Sequence, residues 1–235
     1  MAGKVKSAMT IDRDKLRIAL RRLGTECLYQ MLDEAIDLLS PSKLARLAGP
    51  YFDVKNLATD PKDNRGLLAQ VKTFHKASLT GKYYESFSVN SKNFREMSGG
   101  TRAWIAECRR LLHRCVSAAP KDNPAETRKS FETIFSLLRH IDECLDDVIF
   151  FADEGGSWQV GVDWRKVLPA WFACLSATSK PDEYAGLIIE VVDKFAKYDR
   201  EKHLAVAHLK ASPAQRKVLA ELLSQCASQK EGNRQ

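Results

Sequence analysis

The chain has 235 residues, 44% of them hydrophobic and 29% charged, with a formal net charge of +7. That length is enough to bury a substantial core, in one large domain or two packed halves. The longest uncharged stretch, 167–179, is broken by Pro169 and is shorter than the roughly 20 apolar residues of a membrane span, and no apolar run precedes the first helical pattern; the expectation is a soluble, non-exported, cytoplasmic protein.

The charges are sorted along the chain. Residues 1–22 hold seven bases and two acids, 23–42 four acids and no base, and 43–114 fourteen bases and six acids. The sign then reverses, with four bases and ten acids over 121–163, before twelve bases and eight acids over 164–235. This layout is dipolar, so its distribution decides more about a polyanionic partner than the total does.

Helical periodicity dominates from the start. Amphipathic patterns over 12–23, 25–39 and 41–48 predict an N-terminal helical hairpin at 1–48, followed by a polar connector over 49–64 that contains Pro50, Asp60, Pro61 and Asp63. The main helical domain is expected over 65–228, with a disordered tail at 229–235. Its first pattern, 65–80, leads into a long non-helical segment from Gly81 to Gly100 with Tyr83, Tyr84, Phe87 and Phe94, the kind of loop that is either functional or ordered by packing.

From Thr101 to Ala118 one stripe carries Trp104, Cys108, Leu111, Leu112 and Cys115, while Arg102, Arg109, Arg110 and His113 stand opposite. The stretch 125–145 repeats the pattern with Phe131, Ile134, Phe135, Leu138, Ile141 and Leu145. Another stripe, over 182–198, runs Tyr184, Leu187, Ile188, Val191, Phe195 and Tyr198, and further helices fit 164–178, 200–210 and 213–227. Asn123-Pro124 and Ser212-Pro213 each place a capping side chain before a proline at the first helical position, with Glu126 and Gln215 as capping-box partners. Asp163 can cap the helix that begins at Trp164, and Pro169 predicts a kink or short break within it. Short connections imply antiparallel neighbours. The fold class is therefore all-α, an antiparallel helical bundle or a short helical-repeat solenoid, with a small loop or ribbon insertion near 153–164. Only Phe87 to Val89 and Trp158 to Val162 read as β-like.

The six cysteines form no C-x-x-C pair and sit among apolar residues at helical spacing, so all six read as reduced core residues. No cofactor motif is present. The five histidines lie on different helical patterns, and no G-x-S-x-G elbow accompanies them.

Three constellations could carry a function. The segment 153–164 gathers three glycines, two tryptophans and three acids in a chain otherwise helical; Asp153, Glu154, Gly155, Gly156, Trp158 and Trp164 are the candidate protein-binding residues. A plain turn with two core tryptophans is the blander reading. Gly155-Gly156-Ser157 could also cradle an anion, but no P-loop lysine follows.

The second constellation is the basic stripe Arg102, Arg109, Arg110 and Arg114, which with the aromatics of the preceding loop has the ingredients of a nucleic-acid platform, or of an ordinary charged outer face. The third is His140, Glu143 and Asp147, at i, i+3 and i+7, which could offer oxygen-rich metal ligation for a hydrolase. Acids at a helix C-terminus are disfavoured by a few tenths of a kcal/mol each, so they call for compensation, which an arginine supplies as readily as a metal.

The motifs R-A-W-I-A-E-C-R-R-L-L from Arg102, F-S-L-L-R-H-I-D-E-C-L-D-D from Phe135, D-W at Asp163 and P-A-W-F-A-C-L from Pro169 resemble the helix-pair rhythm of bacterial proteins related to HEAT or TPR repeats, over about two-fifths of the chain. The resemblance implies a helical scaffold with a concave or loop-decorated binding face and carries over no functional residue. The leading expectation is a non-catalytic helical scaffold that binds a protein partner through 153–164 and the 83–100 loop. A nucleic-acid-associated helical protein and a metal-dependent hydrolase are the alternatives.

Overall fold

The computed structural model describes residues 11–53, 66–94, 96–143, 147–152 and 155–232, the side chains of residues 25, 26, 30, 33, 34, 37 and 226–232 excepted. Ten α-helices are defined among the described residues, and the chain divides into two compact units, Met1–Asn64 and Arg65–Gln235. The fold is all-α.

The first unit holds α1 (Arg13–Leu20), α2 (Thr25–Leu38) and α3 (Pro41–Ala48). Asp12 starts α1 by accepting from the backbone N–H groups of Asp14 and Lys15, and Gly24 precedes α2. Ser40 precedes α3 without a side-chain capping bond. No residue of α1 or α3 is buried.

The second unit holds α4 (Leu67–Leu79), α5 (Gly99–Ala118), α6 (Pro124–Glu143), α7 (Trp164–Thr178), α8 (Pro181–Phe195), α9 (Arg200–Lys210) and α10 (Pro213–Gly232). Its core is the set of stripes read from the sequence: Trp104, Cys108, Leu111 and Cys115 from α5 meet Phe131, Ile134, Phe135 and Leu138 from α6 and Leu168, Trp171, Phe172 and Leu175 from α7. The helix starts follow the capping chemistry. Asn123 Oδ1 accepts from the N–H groups of Ala125 and Glu126, and Ser212 and Gln215 form a reciprocal capping box. Gln215 then reaches the carbonyls of Ser176 and Ser179, which ties α10 to the end of α7.

Packing is not confined to consecutive helices. Four alternate pairs of helices are neighbours: α4 with α6, α5 with α7, α7 with α9 and α8 with α10.

Several expectations need correction. The β-like stretch from Trp158 is a 3-10 turn, Ser157–Val160, and neither it nor Phe87 to Val89 forms a strand. Here the Gln159 and Gly161 N–H groups bond the Gly156 and Trp158 carbonyls within the turn, and side chains take the Ser157 N–H and the Val160 carbonyl, so no partner strand is called for. The helix α7 runs unbroken through Pro169, whose one missing donor is tolerated in an element packed against α5, α6, α8 and α9. The helix α8 ends at Phe195, so Tyr198 leaves the predicted stripe and lies in a second 3-10 turn, Lys197–Asp199. The last helix continues to Gly232, past the point where the tail was expected to begin.

Cys108, Cys115 and Cys174 are free and buried, but Cys27 is exposed, which corrects the uniform reading; the side chains of Cys144 and Cys226 lie outside the described residues. Burial pushes the thiol of Cys115 up to about 12 and raises those of Cys108 and Cys174, as an apolar site does to any group that ionises to an anion. No described helix is long and apolar enough to cross a membrane.

Candidate functional site

Trp158 is the outlier among the four tryptophans. It is 74% exposed, whereas Trp104 and Trp171 are fully buried in the core. Trp164 is half-buried and stacks on Phe195, with ring centroids 5.0 Å apart and planes 18° from parallel, while it leans against Phe135 at 5.6 Å. The two tryptophans of the candidate loop therefore have opposite roles: Trp164 fixes the loop's exit to the core and Trp158 stands in solvent.

The turn that carries Trp158 is held at both ends. At its start, Asp142 on α6 accepts from the backbone N–H of Ser157 at 2.7 Å and from its hydroxyl at 3.0 Å, and Lys194 on α8 lies 3.3 Å from the same carboxylate. At its end, Arg109 on α5 donates Nε–H to the carbonyl of Val160 at 2.6 Å, and the Val160 side chain is buried. Charged donors and acceptors make such bonds about twice as strong as neutral ones.

One glycine of this turn is set by its backbone angle, and close neighbours crowd two more. Gly161 has a φ of +64°, and a Cβ there would sit 2.6 Å from Arg109 Nη2. Gly156 is buried between the clamp and the indole, so a Cβ would press on Trp158 at 3.0 Å and on Asp142 Oδ1 at 3.3 Å. Gly155 lies beside the Phe151 ring, and Asp153 and Glu154 lie outside the described residues.

Next to this turn is a cavity of ≈ 320 Å³ bounded by Trp164, Phe195, Tyr198, Asp163, Asp199 and His203, among others. Tyr198 is fully exposed at its mouth. Arg165 and Lys202 both bond Asp199, at 3.0 and 2.7 Å, and these bonds hold its carboxyl down at about 2. His203 is buried, and that burial lowers its pKa below the ordinary value of 6.5 against the opposing pull of Asp199.

The loop 83–100 is packed down rather than free-standing. Tyr84 and Phe87 both meet the edge of Phe150, Glu85 accepts from the N–H of Gly100 at 2.7 Å, and Thr101 Oγ1 donates to the Phe150 carbonyl at 2.8 Å. Tyr84, Val89 and Phe94 keep part of their surface in solvent.

The basic stripe is dispersed into local contacts. Arg102 donates to the Met97 carbonyl at 2.7 Å, Arg110 forms a bidentate pair with Glu107, Arg114 bonds the Gln70 side chain, and Arg109 is the turn clamp described above. Among the three proposed metal ligands, Glu143 and Asp147 are exposed and His140 is half-buried, and no group of three His, Cys, Asp or Glu suited to a metal occurs among the described residues. Beside them, Asp142 is bonded to Ser157 and paired with Lys194.

A wider groove of ≈ 650 Å³ lies between α6 and α8 over Phe135 and Trp171. Its rim is cross-linked by Arg128 to Glu132 and Glu183 and by Arg139 to Glu190 at 2.8 Å. Beneath it Trp171 Nε1 is buried without a hydrogen-bond partner among the described residues.

Sequence reasoning missed Tyr198 and the clamps. The break in the apolar stripe after Phe195, at Ala196-Lys197-Tyr198-Asp199-Arg200, was a usable signal for Tyr198. The pairing of Asp142 with Ser157 and of Arg109 with Val160 leaves no local pattern. Comparison with protein-family models, curated proteins and solved structures returns no match.

Proposed function

We propose that the chain is a cytoplasmic, non-catalytic interaction protein whose second unit binds a protein partner through the turn 157–162. One observation carries this reading: Trp158 stands 74% exposed on a turn that Asp142 and Arg109 hold at both ends. A large aromatic left in water forgoes about 25 cal/mol per Å² of apolar area, so its retention on a rigid support is what a contact residue requires. Pre-organisation lowers the ordering entropy that binding must overcome. Tyr198 is exposed beside the exit of the turn, lining one cavity with Val162 and Asp163.

The alternate-helix packing of the second unit supports a scaffold of helical-repeat type, in which equivalent helices of successive pairs stack. The nucleic-acid alternative draws less support, because the four arginines of the stripe already have protein partners. For a metal-dependent hydrolase the described residues offer no converging ligand set.

The test is a comparison of wild-type, Trp158→Ala and Trp158→Tyr chains in affinity purification from cytoplasm, with thermal melting in parallel. Loss of a co-purifying protein with Trp158→Ala, and its recovery with Trp158→Tyr at unchanged melting temperature, is the expected result. Equal partner recovery from all three chains would overturn the reading.

A further inference from the structure

We propose that the groove between α6 and α8 is a binding site for a small, neutral, largely apolar molecule that carries a carbonyl oxygen as hydrogen-bond acceptor. The groove exists because a layer of helices is interrupted. Of the alternate helix pairs from α4 to α10, α6 with α8 is the one that is not closely packed among the described residues. The two helices stand apart over α7 and leave ≈ 650 Å³ between them, within the range of about 300 to 1,000 Å³ that small-molecule sites occupy. Ion pairs of Arg128 with Glu183 and of Arg139 with Glu190 span the gap, and Phe135, Trp171, Leu187 and Val191 supply the apolar part of its lining.

Two residues of that lining are left unexplained by contacts within the chain. Trp171 Nε1 is buried and donates to nothing among the described residues, although a buried donor without a partner is costly. Gly186 stands in the interior of α8, where glycine is less favourable than any residue except proline. A Cβ there would meet nothing within 4 Å, so no neighbour in the chain requires its absence. A bound molecule accounts for both, with an acceptor for the indole N–H and a body that uses the room beside the bare backbone. Trp171 is fully buried, so the acceptor reaches it only as groove side chains turn aside, and pairing the N–H offsets that movement.

Charge sets the class of ligand. The lining carries Arg128 and Arg139 against Glu132, Glu183 and Glu190, and both arginines are already paired with these glutamates. Neither guanidinium is left for a carboxylate or a phosphate, and the surplus acid opposes an anion. An indole N–H is a donor only, so it offers nothing to a cation. A neutral acceptor on an apolar frame is what remains.

The test is NMR of the full chain with nitrogen-labelled tryptophan, titrated with β-acetylnaphthalene, β-ethylnaphthalene and β-naphthoate. The three probes share a ring system and offer a neutral acceptor, no acceptor and a charged one. The indole N–H signals are assigned through single tryptophan replacements. The ketone should move the Trp171 signal downfield and bind about tenfold or more tightly than either other probe, the margin of one added hydrogen bond. Gly186→Leu should abolish that shift without lowering the melting temperature, because its side chain enters open space and a glycine leaves the helix interior. Trp171→Phe should bind ketone and hydrocarbon alike; should that variant fail to fold, Gly186→Leu decides alone. A Trp171 signal unmoved by the ketone up to its solubility limit would overturn the proposal, as would equal affinity of wild type for ketone and hydrocarbon, tighter binding of naphthoate, or full binding by Gly186→Leu.

Discussion

Arg109 and Val160, 51 residues apart, are joined by a 2.6 Å bond from a guanidinium Nε–H to a backbone carbonyl. The contact converts what reads as a phosphate-binding side chain into the fastener of a turn. It also defines the order in which variants of this region should fail.

Trp158→Ala should change stability by less than about 1 kcal/mol, because the side chain is exposed and holds nothing in place. Trp171→Ala and Trp104→Ala should each cost about 3 to 5 kcal/mol, as truncation of a buried tryptophan does. Chemical denaturation of the three variants checks the contrast, and a Trp158→Ala loss of the same size as the other two would show that the indole is a core residue after all.

Arg109→Ala should destabilise the second unit by about 1.5 to 3 kcal/mol, the range for a hydrogen bond to a charged group. Gly161→Ala should act on the same fastener from the other side. It places a Cβ at φ +64° and against Arg109 Nη2, with about 1 to 2 kcal/mol from the left-handed backbone alone. Because both changes loosen one contact, the double variant should lose less than the sum of the two. Additive losses would mean that Gly161 and Arg109 act separately.

His203 should give the fold an acid-sensitive phase. Its folded pKa lies below 6.5, chiefly through burial, with Arg165 and Lys202 also lowering it and Asp199 raising it. The unfolded chain therefore takes up the proton first as pH falls, so stability is complete above about 6.5 and declines below it until the folded pKa is passed. His75, lowered by burial and by His140, contributes in the same direction. Melting temperature followed from neutral to mildly acid pH should fall, and His203→Gln should flatten part of that slope. An unchanged slope in His203→Gln would assign the effect elsewhere.

Neutralising Arg102, Arg109 and Arg110 offers a check on the nucleic-acid alternative. With those side chains already bound to Met97, Val160 and Glu107, retention on heparin at low salt should drop by little when they are replaced by glutamine. A steep loss of retention would return the stripe to contention.

What the sequence disclosed and what it hid follow from the range of the forces involved. Helix spans such as Trp164–Thr178 and caps such as Asn123 and Ser212 depend on neighbours within one or two turns, so periodicity and composition expose them. The candidate site depends on pairs that are remote along the chain. Asp142 was legible as one acid in a cluster, yet its bond to Ser157 requires the whole bend between α6 and α7 to be in place. The opposed fates of Trp158 and Trp164, six positions apart in one loop, were equally hidden, because Phe195 decides the second and lies on α8. Tyr198 fitted the apolar stripe by spacing alone, and only the end of α8 at Phe195 puts it outside.

The span of these fasteners also says when the exposed indole comes into being. The bonds of Thr101 to Phe150 and of Arg109 to Val160 close loops of 49 and 51 residues, whereas each helix closes its own bonds within four. Loop-closure entropy grows with separation, so the helices can form before the turn is fastened, and the turn must wait until α5 and α6 are docked. A chain emerging from synthesis shows Trp158 on an unfastened strand of polypeptide, with no fixed shape to recognise. Only a molecule that has completed the second unit presents the rigid surface, so a partner that reads that surface also distinguishes finished chains from unfinished ones.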